Sequence, residues 1–154
     1  MSASSWFSLV VFLAVVAATS VTGASFRPGA WYAALAKPSW TPPNWVFPVV
    51  WTVLYVMIAV AGWLVYEREG FSAALVVWIV ALILNGLWSY LMFGQREIGL
   101  AAADLTALWI AVLAFIILAW PDNRTASLLF VPYLAWVSYA GALNFAILRM
   151  NAHA

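Results

Sequence analysis

Leu75-Val76-Val77-Trp78-Ile79-Val80 is six apolar residues in a row, with no polar position in alternation. A membrane-spanning barrel strand alternates apolar and polar side chains with period two, and this stretch does not. Backbone groups in hydrocarbon must then be satisfied within their own segment, which leaves an α-helix. Ala114-Phe115-Ile116-Ile117-Leu118 carries the same unbroken signature further on, so both stretches are read as membrane helices.

The run around Leu75 extends from about residue 72 to residue 93, long enough for one crossing of ~20 residues. The chain as a whole has 154 residues, 68% of them hydrophobic and 7% charged, with a mean hydropathy of +1.02. Soluble domains carry a charged fraction of about a quarter, so this is a polytopic membrane protein. Four more apolar runs cover about 6–26, 45–66, 98–120 and 126–150. The reading is an all-α bundle of five transmembrane helices forming a single domain over residues 1–154. Its connections, the loop over residues 27–44 excepted, are only a few residues long, so consecutive helices are antiparallel neighbours in an up-and-down order.

The first run ends in small residues around Thr22-Gly23-Ala24-Ser25, as a cleaved signal would. No Lys or Arg precedes it and it is too long for a signal's apolar core, so it is read as a retained helix. Glu67-Arg68-Glu69-Gly70 reads as a tight polar turn, and Pro48 and Pro132 stand near the starts of the second and fifth spans. Arg27, Lys37, Arg96 and Arg149 fall on one side of the bundle and Arg68 and Arg124 on the other. That bias orients the loop over 27–44 and the C-terminus to the cytoplasm and the N-terminus outside.

The net charge of +1, with its six cations scattered, argues against a nucleic-acid partner. The absence of Cys removes disulfides and thiol chemistry, and the single His153 stands near the C-terminus, where fraying is expected. Metal chemistry has almost no ligands, so no metal site is expected.

Eleven Trp are present. Trp6, Trp63, Trp78 and Trp120 lie within reach of span ends, as an interfacial belt requires. Trp51, Trp88, Trp109 and Trp136 lie deeper, where an indole N–H needs a partner. Asn85 and Asn144 are amides at membrane depth, costly unless they bond across helices or face a ligand. Helical spacing puts Asn85, Trp88 and Ser89 on one face, and Trp136, Ala140, Leu143 and Asn144 on another. Tyr55 follows Trp51 by four residues on the second span. Three spans therefore each present an aromatic with a polar tip, the make-up of a pocket for a flat, mostly apolar ligand; bonding between helices accounts for the same amides.

Asp104 is the one carboxylate well inside a span, either a functional group or an acid shallow enough to meet Arg96 or another loop. No second titratable group accompanies it in another span, which argues against proton-coupled transport. Gly99, Ala103, Ala107 and Ala111 form a small-residue stripe that serves either a dimer contact or close packing within the bundle.

The longest connection holds Trp31-Tyr32, Leu35, Lys37-Pro38, Trp40 and Pro42-Pro43, and Trp51 follows it. With Asn85 and Trp88, Phe93-Gly94, Asp104, and Val131-Pro132-Tyr133-Leu134-Ala135-Trp136 leading to Leu143-Asn144, this pattern resembles the TspO/MBR family of tryptophan-rich sensory and translocator proteins. The resemblance implies a dimeric five-helix protein that binds tetrapyrroles such as protoporphyrin IX and haem, and in animals cholesterol. By position it implies a pocket lined by Trp51, Asn85, Trp88, Trp136 and Ala140, with Tyr32, Pro42 and Tyr55 at or near a lid formed by Trp31, Lys37, Pro38, Trp40 and Pro43. Prolines stiffen such a lid, and Lys37 is expected to meet a porphyrin propionate.

The preferred function is a tetrapyrrole-binding receptor in the bacterial cell membrane, with no cofactor required. Two alternatives follow from the same resemblance. One is light-dependent porphyrin breakdown, with Trp51 and Trp136 as the redox-active side chains; the other is a sterol or lipid carrier. The family's sterol motif departs here, because Leu143-Asn144-Phe145 followed by Arg149 has Phe where Tyr is expected.

Overall fold

Ser2 opens the first helix, its Oγ accepting from the Ser5 amide at 3.2 Å, in a computed structural model that describes residues 2–152. His153 lies outside the described residues. Helix α1 runs over Ala3–Ser25, α2 over Ala30–Ala34, α3 over Val46–Glu69 and α4 over Ala73–Ser89. One π-helical turn, Tyr90–Gly94, prolongs α4; α5 covers Ile98–Ala119, α6 Arg124–Leu129 and α7 Val131–Met150. Five helical segments are long and apolar enough to cross a membrane, as the sequence implied, and no strand occurs among the described residues.

The boundaries differ from expectation in three places, each for a local reason. Glu67, Arg68 and Glu69 remain helical instead of forming the turn, because Ser8 Oγ donates to Glu67 Oε1 at 2.7 Å and ties the last turn of α3 to α1. The reversal takes only Gly70, Phe71 and Ser72, with Gly70 at φ 68°, a conformation that costs glycine least. The fifth span is two helices rather than one: Pro132 has no amide to donate, and the chain breaks at Phe130. The loop over 27–44, read from the sequence as a connection without a helix of its own, contains α2.

The interior is held by close helix contacts. A Cβ added at Gly62 would stand 2.6 Å from Trp78 Nε1, so the indole lies on bare backbone and donates to the Ile58 carbonyl at 2.8 Å. Trp78 is thus a core residue of the α3–α4 contact and not a belt residue. Phe115 and Phe130 pack with ring centroids 3.9 Å apart, and Tyr133 adds an edge contact to Phe130. Trp63 donates to Ser8 Oγ, fastening α3 to the first half of α1.

Consecutive spans are not all close neighbours. Helix α1 packs on both α3 and α4, α4 packs chiefly on α5, and α5 on α7. Helices α3 and α4 share a turn and the Trp78 contact but diverge towards the lid, and the space between them is closed by α1 and α7.

Candidate ligand-binding site

The divergence of α3 and α4 leaves a cavity of about 880 Å³ beneath the loop over 27–44. Trp51 and Tyr55 supply its α3 wall, and Asn85, Trp88 and Ser89 its α4 wall. The π-helical turn widens the helix by one residue per turn and brings Met92 and Phe93 into the same lining. Ala140, Leu143 and Asn144 come from α7. The two faces read from helical spacing thus meet across one space, Trp136 excepted.

A row of side-chain hydrogen bonds crosses the cavity wall. Tyr55 donates its hydroxyl to Asn85 Oδ1 at 3.0 Å, and Asn85 Nδ2 donates to the Tyr133 hydroxyl at 2.8 Å. Trp88 Nε1 donates to Asn144 Oδ1 at 3.1 Å, while Asn144 Nδ2 donates to the Ile98 carbonyl at the start of α5. Both amides therefore bond across helices and line the cavity at once. Asn85 keeps an open acceptor lone pair on Oδ1, since a carbonyl oxygen accepts two bonds. The remaining lining is mostly apolar, with Ser20, Arg27, Asn44, Thr52 and Ser89 as its other polar members, a surface suited to a flat ligand gripped by ring faces and fixed by few polar groups.

The lid is tied down at two points near its middle. Asn151 Oδ1 accepts from the Ala36 amide at 3.1 Å and its Nδ2 donates to the Ala36 carbonyl at 2.9 Å. Trp40 packs edge-on against Tyr139, whose hydroxyl donates to the Trp40 carbonyl at 2.6 Å. Tyr32 is buried, edge-on to Phe93 at 5.4 Å, and burial pushes its phenol above the usual range. Trp31 packs on the cluster beneath the lid that holds Tyr32, Met92, Leu143 and Ile147. Removing the amide in Asn151→Ala deletes two bonds to the lid, each worth about 1 kcal/mol. The amide of Ala36 is then expected to exchange with solvent about 30-fold faster, measured by hydrogen exchange.

Lys37 does not serve as a free cation. Its Nζ donates to the carbonyls of Tyr32, Ala33 and Leu35 at 2.7, 3.1 and 2.9 Å and sits 4.9 Å from the centroid of the Tyr32 ring. These bonds occupy all three ammonium protons and close the end of α2.

Several expected residues stand elsewhere. Pro42 and Trp136 are not in the cavity lining. Trp136 lies behind Trp51, edge-on at 6.4 Å, and faces an apolar groove between α3 and α7 on the outer surface. Trp109 donates to Ser138 Oγ between α5 and α7. Asp104 is buried with neither carboxyl oxygen bonded, so the pairing with Arg96 is not made. Of the small-residue stripe, Gly99, Ala103 and Ala107 are exposed on α5 and only Ala111 is buried. No group of three metal-ligating side chains gathers among the described residues.

The sequence reading missed one whole wall. Leu13, Val16, Ala17, Ser20, Gly23 and Ala24 of α1 face the cavity. Their signal was present in the spacing of Ala17, Ser20 and Ala24, a narrow small-residue face on an otherwise bulky helix. Tyr133, the buried partner of Asn85, was read only as part of a motif.

Bundle and cavity together define an integral membrane protein with a ligand-sized aromatic chamber under a tethered loop. The model of the TspO/MBR family matches residues 7–150, and the chain belongs to that family. It is 41% identical over 145 residues to Protein CrtK of Rhodobacter capsulatus, covering 92% of this chain and 91% of that one. It is 38% identical over 146 residues to the tryptophan-rich sensory protein of Cereibacter sphaeroides, covering 95% and 92% of the two chains. The human translocator protein is 37% identical over 126 residues, covering 79% of this chain and 75% of its own.

Proposed function

We propose that this protein is a tetrapyrrole receptor of a bacterial membrane, taking protoporphyrin IX or haem into the cavity as ligand and reporting its presence. The observation that carries the reading is the cavity itself. Its volume of about 880 Å³ lies high in the range of small-molecule pockets, and Trp51, Trp88, Phe47 and Phe93 give it aromatic walls. The names of the relatives, sensory protein and translocator protein, agree with binding followed by signalling or release. Reversible capture needs neither a metal nor a resident cofactor. The exposed stripe Gly99, Ala103 and Ala107 offers a close-approach surface to a second copy, in keeping with a homodimer. The loop over 27–44, with Arg27 and Lys37, is assigned to the cytoplasmic side together with Arg96 and Arg149.

One arrangement favours a second reading, light-dependent oxidation of the bound porphyrin by dioxygen. Trp51 stands in the cavity wall with Trp136 edge-on behind it, so an electron taken from Trp51 by an excited porphyrin has a second indole 6.4 Å away to replace it. Titration of the purified protein with protoporphyrin IX in the dark is expected to quench Trp fluorescence with saturation. Linear, non-saturating quenching sinks the receptor. Illumination in air is expected to give a new absorbing product only under the second reading, and then Trp51→Phe removes it while Trp136→Phe slows it. Bleaching at the rate seen with an unrelated membrane protein leaves the receptor alone. Sterol carriage has less support, since Phe145 offers no hydroxyl to a sterol alcohol.

A further inference from the structure

Among the residues that line the cavity, Arg27 alone carries a formal charge. It lies exposed where α1 leaves the bundle, between the end of that helix and Pro28. Phe26, the preceding residue, packs edge-on against Tyr90 at 5.3 Å and rests on Gly94, where a Cβ would come within 2.9 Å of its ring. Arg27 Nε donates to the Ala24 carbonyl at 2.8 Å, which orients the guanidinium, and its two terminal amino groups make no bond among the described residues. Those two groups form the paired donor geometry that matches a carboxylate.

The surroundings make that charge consequential. Helix α1, the π-helical turn after α4, and α7 end on this side of the bundle while α3 and α5 begin there, so carbonyl and amide helix ends of opposite partial charge meet around the mouth and largely offset one another. A formal charge among the lining residues then decides which edge of a ligand the cavity accepts. Lys37, the obvious candidate from the sequence, spends its protons on the backbone of α2. Arg96 and Arg149 do not line the cavity.

We propose that Arg27 is the carboxylate anchor of the cavity: it selects ligands that pair a flat apolar body with an acidic edge, and holds that edge at the mouth while the rings lie among Trp51, Trp88 and Phe93. The inference rests on the tetrapyrrole reading above and names the group that chooses among tetrapyrroles. Acidic porphyrins, whose propionates extend from one edge, bind with that edge outward. Esterified or uncharged analogues of the same shape enter without the anchor.

The test compares protoporphyrin IX with its dimethyl ester, titrated by Trp quenching against the full-length protein in detergent micelles. The wild type is expected to prefer the diacid by about tenfold or more, the usual worth of a charge-assisted bidentate contact. Arg27→Gln brings the acid-to-ester ratio close to one by weakening the diacid alone, and Arg27→Lys restores part of the preference. Lys37→Gln loosens the lid, weakens both probes alike and keeps the ratio. The proposal falls if the wild type does not discriminate, or if Arg27→Gln weakens both probes equally, as a helix-capping role alone requires. It falls too if Lys37→Gln erases the preference in its place. In each of those cases the tetrapyrrole reading stands. Absence of saturable quenching by either probe overturns both.

Discussion

Asn85→Ala is expected to weaken porphyrin binding about 30-fold or more, the largest loss from any single side chain in the cavity wall. The amide is 6% exposed and joins two phenols, accepting from Tyr55 and donating to Tyr133. Truncation leaves the Tyr133 hydroxyl, on a side chain only 1% exposed, without its donor. A buried polar group left unpaired costs about 1–3 kcal/mol. Tyr55 loses its acceptor as well and is free to rotate into the space beside Trp51, on which it now stacks at 5.4 Å. The cavity thus loses a hydrogen-bonding group and its shape together. Fluorescence titration measures the affinity, and circular dichroism checks that the helices persist. Unchanged affinity in a folded variant removes this wall from the site.

Gly62→Ala is expected to be the most destabilising single-methyl change in the bundle. Its new Cβ would lie 2.8 Å or less from three atoms of the Trp78 indole, which has no room to retreat at 3% exposure. Overpacking of this kind costs about 1–3 kcal/mol. Displacing the indole also breaks its bond to the Ile58 carbonyl and adds a buried, unpaired N–H. The unfolding midpoint in detergent should fall clearly below the wild type, and a double variant Gly62→Ala, Trp78→Phe should recover part of the loss by removing the clashing ring. A wild-type midpoint in the single variant excludes the close α3–α4 contact. Gly141, with nothing within 4 Å of an added Cβ, is the matching control.

Much of the molecule was legible in one dimension because membranes impose a local rule. A run such as Leu75 to Val80 must be helical, whereas the caps at Ser2, Ser72 and Asn123, which set where α1, α4 and α6 begin, came only with the structure. The pairing of Asn85 with Trp88 and of Asn144 with Leu143 and Ala140 was also legible, because residues three and four apart share a face. Trp136 shows where that rule ends. It shares the helical face of Ala140 by spacing, yet it lies outside the chamber, because the α3 side chains Trp51 and Phe47 stand between. Lys37 shows the same limit for charge: its availability depended on where the carbonyls of Tyr32, Ala33 and Leu35 point.

Hydropathy and periodicity by themselves determined that this chain crosses the membrane five times as helices and which residues share each helical face. Both are properties of neighbours along the chain, set by hydrogen bonding in hydrocarbon and by a repeat of 3.6 residues. Only the tertiary structure decided that α3 and α4 diverge above the Gly62–Trp78 contact, that α1 closes the gap, and that Arg27 and not Lys37 stands at its mouth. Those outcomes depend on which surfaces approach closely enough to exclude one another, and a void is defined by what fails to meet across it.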